Sequence, residues 1–175
     1  MCNQRICVVG TSGVGKTTLA RQISQRLSIP HIELDALNWE SNWTEVPTNL
    51  FRERLTQNLI GKSWVVDGNY SAIRDILWVK ADTIVWLDYP LSVIMARLLR
   101  RTFQRVVMQE ELWNGNRETW QTTFSRDSIL LWAIKTYPQR RKEYPILFNQ
   151  PEYSHLKIVH LRSPKAAQNW LKHIY

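Results

Sequence analysis

Short apolar runs alternate with longer stretches of helical period along this chain. Ile6-Cys7-Val8-Val9 predicts a strand, and residues 16 to 28 predict a helix with Leu19, Ile23 and Leu27 four apart on one face, ended by Pro30. Ile32-Glu33-Leu34 predicts a second, short strand. Residues 48 to 60, entered at Pro47-Thr48 and closed by Gly61, predict a helix. Trp64-Val65-Val66 predicts a third strand, ended by Asp67-Gly68-Asn69, and Thr83 to Leu87 a fourth. Pro90 then opens a long helix carrying Leu91, Met95, Leu98 and Leu99. From 106 to 121 the period is lost around Gly115, which sits between two asparagines. A helical stretch from about 122 to 148 is expected to break at Pro138 and Pro145. Leu156 to Leu161 predicts a fifth strand, and Ser163 to Ile174 a last helix with Ala167, Trp170, Leu171 and Ile174 inward. Apolar strands alternating with helices imply an α/β fold whose parallel sheet is covered on both faces. Ligands of such sheets bind beyond the carboxyl ends of the strands, so the residues that follow each strand carry the functional information.

After the first strand comes Gly10-Thr11-Ser12-Gly13-Val14-Gly15-Lys16-Thr17-Thr18, the G-x-x-x-x-G-K-T pattern of a phosphate-binding P-loop. Glycines let the backbone wrap an anion closely. Successive amide N–H groups form a nest, and the unpaired N–H groups and dipole of the following helix face the same anion. Lys16 is placed to reach the β- and γ-phosphate oxygens, and Thr17 to offer its hydroxyl to Mg²⁺. No N-K-x-D sequence for reading guanine is present, which favours ATP over GTP.

Composition narrows the picture further. The 175 residues fit a single domain spanning 1–175. With 44% hydrophobic and 22% charged residues, disorder, collagen and coiled coil are disfavoured. No apolar run is long enough to span a membrane, and the start of the chain is too short to be a signal peptide before a motif that must be kept. Cys2 and Cys7 build no disulfide framework, and Cys7 reads as a core residue, which suits a reducing, cytoplasmic setting. His31, His155, His160 and His173 show no metal-ligand spacing. A formal charge of +8 implies an anionic partner: a phosphorylated small molecule, a nucleic acid or an acidic surface. Of nine tryptophans, Trp39, Trp43, Trp113 and Trp120 are candidates to line a cleft.

The P-loop together with Ile32–Trp39 (IELDALNW), Trp64–Tyr70 (WVVDGNY) and Ile84–Pro90 (IVWLDYP) resembles the adenylate-kinase-like small-molecule kinases, and among them the proteins labelled DNA topology modulation protein. The resemblance implies a P-loop NTPase αβα sandwich with a five-stranded parallel sheet in order 2-3-1-4-5. It also implies a substrate-binding region at about 35–60 and a mobile lid at about 106–121. It further implies that Asp67 holds the Mg²⁺ shell, and that Asp35 meets the acceptor hydroxyl or Mg²⁺ as in sugar-acid and shikimate kinases. The arginines that adenylate kinases use on a nucleoside monophosphate are missing, since the chain reads Asn69-Tyr70-Ser71 and Asp35-Ala36-Leu37-Asn38.

Arg97 and Arg101, four apart on one helix face, match the arginine pair that enters the lid in that family, where one stacks on adenine and the other contacts phosphate. The resemblance gives Arg117 a role over the γ-phosphate and places Arg162 in the loop beside adenine. Arg140-Arg141-Lys142 reads either as an exposed helix face or as a contact for an anionic acceptor or nucleic acid. Asp88 reads as a cap for the helix after Pro90. The expected function is transfer of the γ-phosphoryl group of Mg-ATP to a small acceptor that is anionic or carries a hydroxyl. A nucleic-acid-associated ATPase and a nucleotide-dependent switch remain as alternatives.

Overall fold

The computed structural model describes residues 4–109, 111–116 and 129–174. Five parallel strands form the central sheet: β1 (Arg5–Gly10), β2 (His31–Glu33), β5 (Trp64–Asp67), β6 (Thr83–Leu87) and β7 (Lys157–Leu161). Their order is β2-β5-β1-β6-β7. Counted within the sheet alone this is 2-3-1-4-5. The labels differ because an antiparallel ribbon, β3 (Trp39–Glu40) with β4 (Thr44–Glu45), intervenes and was not expected from the sequence.

Residues alternate between two cores along each strand. Cys7, Val9, Trp64, Val66, Ile84 and Trp86 fill one face of the sheet. They pack against α3 (Thr48–Asn58), α4 (Arg74–Lys80) and the end of α6 (Ile129–Phe148). Ile6, Val8, Val65, Val85 and Leu87 fill the other face, against α1 (Lys16–Leu27), α5 (Leu91–Met108) and α7 (Pro164–Lys172). Both faces are dry, so the strands read as continuous apolar runs. Cys7 is a core residue, its thiol pushed up by burial.

Four expectations change. Leu34 ends no strand; it begins the short helix α2 (Leu34–Asn38), so Asp35 lies in a helical first turn. The buried stripe of α5 is Ile94, Leu98, Thr102 and Val106, whereas Leu99 is half exposed. Helix α6 runs unbroken through Pro138 and Pro145. Each proline removes one helical hydrogen bond, but burial of Ala133, Thr136 and Tyr144 holds the helix together. Asp88 does not cap α5, whose N-cap is Pro90 with no side-chain bond. Its carboxylate instead accepts from Arg141 Nε at 3.1 Å and pairs with His160 Nε2 at 3.0 Å. The expected helical residues 122–128, and Arg117 and Trp120, lie outside the described residues. Among the described residues no helix is long and apolar enough to cross a membrane.

The turn after β5 brings the sheet to the cleft by close packing. Gly68 has φ +141°, and a Cβ there would stand 2.7 Å from Leu34 Cβ. Gly68→Ala combines a left-handed backbone with overpacking, and is expected to lower stability by about 2–4 kcal/mol. Urea unfolding should show a lower midpoint with an unchanged slope.

Candidate functional site

Strand β1 ends at Gly10, and the loop from Gly10 to Gly15 delivers the chain into α1. Gly15 caps α1 in a left-handed conformation (φ +105°) and supplies no side-chain bond to the first-turn N–H groups. Those amides are therefore available to an anion. Gly10 must be glycine on two counts: φ is +148°, and a Cβ would lie 2.5 Å from Leu87 O.

The Gly10 carbonyl is a hub. It accepts from Lys16 Nζ at 3.1 Å, from Asn69 Nδ2, and from Arg140 Nη1 at 3.3 Å. Asn69 Oδ1 in turn accepts from Gly10 N at 3.1 Å and from Tyr144 OH at 2.9 Å. Asn69 thus fixes the peptide groups at the start of the loop in both directions. Desolvation in the cleft is the largest cause lowering the Lys16 pKa from 10.5 to about 8. Arg140 and Arg101 push the same way, and Asp35 and Asp67 oppose them.

Carboxylates face these cations from the ends of β2 and β5. Thr17 Oγ1 donates to Asp67 Oδ2 at 2.6 Å, and His31 Nε2 meets Asp67 Oδ1 at 2.7 Å. Asp67 is 4% exposed and both of its oxygens are engaged, so its orientation is set. The hydroxyl and carboxylate together form an oxygen donor set of the kind Mg²⁺ takes beside phosphate oxygens and water. Among the described residues no three His, Cys, Asp or Glu side chains gather into a denser metal site.

In the first turn of α2, Asp35 accepts from Tyr70 OH at 2.6 Å. Dry surroundings raise the Asp35 carboxyl above its ordinary range, against the opposing effects of the Tyr70 bond and the Lys16 charge. The Tyr70 phenol is raised in turn, first by burial and then by Asp35. Its ring packs edge-on against Phe51 of α3, centroids 5.0 Å apart. A carboxylate that is oriented, poorly solvated and coupled to the loop lysine can accept a proton from a hydroxyl.

The arginines divide. Arg101 and Arg140 lie close enough to Lys16 to perturb it. Arg97 is held on the outside of the loop: its Nη1 donates to Val14 O at 2.7 Å, and its guanidinium lies 5.3 Å from the Tyr89 ring centroid. Arg162 lines an open cleft of about 490 Å³ with Trp86, Asp88, Arg141 and His160, and no phosphate-loop residue lines it. Arg141 and Lys142 are exposed.

Beyond Asp35, the segment from α2 to β4 is met by residues 112–116. Trp113 Nε1 donates to Glu33 Oε2 at 3.0 Å, and Asn116 Nδ2 donates to Glu40 O at 2.8 Å. Trp39 and Trp43 pack edge to face at 5.7 Å. Trp39, Trp43 and Trp113 therefore gather in one neighbourhood.

The structure also shows contacts that the sequence does not announce. Arg140 falls on the inward stripe Ala133, Thr136, Arg140, Tyr144, spaced three and four apart. That spacing was legible, but the two prolines hid it by suggesting that the helix breaks. Asn69 and Tyr70 lie in the WVVDGNY motif, but the motif does not name their partners, and only the sheet order brings them and His31 beside Gly10, Asp35 and Asp67.

The chain is 32% identical over 125 residues to "Uncharacterized protein YqaC" of Bacillus subtilis (strain 168), covering 69% of this chain and 68% of that protein. It is 29% identical over 114 residues to "Putative adenylate kinase" of Thermococcus kodakarensis, covering 61% of this chain and 62% of that one. Among solved structures, a gluconokinase from Sinorhizobium meliloti 1021 aligns with a TM-score of 0.56 at 20% identity, covering 98% of this chain and 93% of that chain. A shikimate kinase from Bacteroides thetaiotaomicron aligns with a TM-score of 0.51 at 17% identity, covering 97% and 94%. These two likenesses speak to the fold. The family model described as "AAA domain" (AAA_18) matches residues 6–119, from β1 through the phosphate loop to the segment that meets α2, and the chain belongs to that family of P-loop proteins.

Proposed function

We propose that the chain is an ATP-dependent phosphotransferase that moves the γ-phosphoryl group of Mg-ATP to the hydroxyl of a small acceptor. The observation that carries this reading is an oriented, desolvated carboxylate, Asp35, set near enough to the phosphate-loop lysine for their charges to influence each other. A binding module or a nucleic-acid-associated ATPase needs no such base at the end of β2. The basic groups Arg101 and Arg140 are gathered at Lys16 rather than spread over a face.

In this reading Gly10 to Thr18 cradle the triphosphate by their amides, and Lys16 leaves the Gly10 carbonyl for the phosphate oxygens. Thr17 and Asp67 would hold Mg²⁺, which would offset the negative charge of the phosphates. Arg101 and Arg140 stabilise the equatorial charge of the transferred group, Arg97 serves the nucleotide from outside the loop, and Arg117 and Arg162 are assigned to the phosphate and base sides. Asp35, held by Tyr70, takes the proton as the acceptor oxygen bonds to phosphorus and the bond to the β-phosphate oxygen breaks, leaving ADP. The arginines that would hold a nucleoside monophosphate are missing from both expected places, so a hydroxyl-bearing metabolite is the favoured acceptor. The relatives named for adenylate, gluconate and shikimate kinases support the reaction class. A reducing cytoplasm suits its thiols.

The reading is tested by incubating the protein and labelled Mg-ATP with a panel of nucleosides, sugars and hydroxy acids. At least one phosphorylated product is expected, and a panel without product contradicts the proposal. Lys16→Ala is expected to weaken Mg-ATP binding roughly 100-fold, about the loss of a charge-assisted bond of 3 kcal/mol. Asp35→Asn should leave nucleotide affinity within a few-fold while transfer to a hydroxyl falls by roughly 10²–10⁴.

A pH prediction follows from Lys16. Its folded pKa is lowered to about 8, so between there and its ordinary 10.5 the site holds a neutral amine until a triphosphate arrives. Binding therefore takes up a proton in that window, and affinity falls as pH rises above about 8. Calorimetry at pH 8.5–9 in buffers of different ionisation enthalpy should show this uptake, with little from this group near pH 7.

A further inference from the structure

We propose that Asn116 is a positioning residue that fastens the expected lid to the acceptor-binding segment, so that the two close over the cleft as one body. The proposal rests on the phosphotransfer reading for its purpose, but its geometry stands by itself. Asn116 is 3% exposed, and its amide is used in full view of two chain segments. Nδ2 donates to Glu40 O and to Trp113 O, both at 2.8 Å, while Oδ1 accepts from Trp43 N at 2.8 Å. Two carbonyls on one side and an N–H on the other fix which way the amide faces. The bonds also explain why asparagine is required. Aspartate would set a carboxylate oxygen against two carbonyls, and glutamine carries the same groups on an arm too long for a buried site.

Other bonds join the same two segments. Asn114 Nδ2 donates to Trp39 O at 2.5 Å, Ser41 Oγ donates to Asn114 O at 3.0 Å, and Trp113 Nε1 reaches Glu33 of β2. Glu33 pairs in register with Asp67 and lies two residues before Asp35. The lid tip is thus tied to β2, the strand that leads into Asp35 and pairs with the strand ending at Asp67. The turns that meet here are held in unusual backbone. Asn42, Trp43 and Asn114 have φ of 61°, 53° and 55°. A tryptophan in the left-handed region persists only where its surroundings impose it, and its N–H is the one that Asn116 captures.

The test is hydrogen exchange on the full-length protein, alone and with a non-hydrolysable Mg-ATP analogue. In the wild type, peptides covering 36–46 and 111–116 should exchange together. Asn116→Ala should raise exchange in both by about tenfold while the sheet peptides stay unchanged. Asn114→Ala, an exposed position, should give a smaller change in the same two peptides and serves if Asn116→Ala does not fold. Faster exchange confined to 111–116, or no change in either peptide, overturns the proposal. With the analogue bound, wild type should gain protection both at 10–18 and at 36–46, and Asn116→Ala at 10–18 only. Equal protection at 36–46 in the variant shows that the segments close independently and also overturns it. If the analogue protects nothing in the wild type, the phosphotransfer reading fails, and the protein without nucleotide still decides the role of Asn116.

Discussion

Positive charge is concentrated around a backbone cradle, and the cleft is organised by how that charge is held. Lys16 and Arg140 rest on one carbonyl oxygen, that of Gly10, and Arg101 adds to the same field. Desolvation and like charge together pull the lysine down to about 8. Such a site is more comfortable with an anion than without one. The rest of the architecture serves this arrangement. Gly10 and Gly15 shape the loop, Asn69 pins its first peptide groups, and the stripe of α6 delivers Arg140 and Tyr144 from the opposite side of the sheet.

The carboxylates give this positive site its direction. Asp67 is locked between Thr17 and His31, so it is prepared for a cation beside the phosphates. Asp35 is held by one phenol and raised by its dry setting, so it is prepared to take a proton. Asp67 closes β5 and Asp35 lies in the helical turn after the adjacent β2, and the different tasks proposed for the two acids follow from their different neighbours. The clasp between residues 112–116 and the α2–β4 segment lies over the same strand end, which links enclosure of the site to the carboxylate proposed as its base.

The strands, the phosphate loop and the positions of Asp35 and Asp67 were legible in the sequence because each depends on local pattern: an apolar run, a glycine spacing, a polar residue just past a strand. What was not legible depends on tertiary context. The prolines of α6 suggested a break and so concealed Arg140 on an inward stripe. The β3–β4 ribbon has two-residue strands, too short for a period to show. Asp88 sits where caps occur but finds stronger partners in Arg141 and His160 across the fold. Tyr70 and Asn69 lie in the WVVDGNY motif, but their partners Asp35 and Gly10, like the Glu40 partner of Asn116, are more than thirty residues away in sequence, and no spacing announces these contacts.

The central claim is that affinity for the nucleotide resides in its phosphates, gripped by main-chain amides and the cations around Gly10. Calorimetric titration of the folded protein with inorganic tripolyphosphate and, separately, with adenosine in the presence of Mg²⁺ tests this most directly. The account predicts that tripolyphosphate binds and competes with ATP while adenosine binds far more weakly. Adenosine binding with the full affinity of ATP, or tripolyphosphate neither binding nor competing, would contradict it.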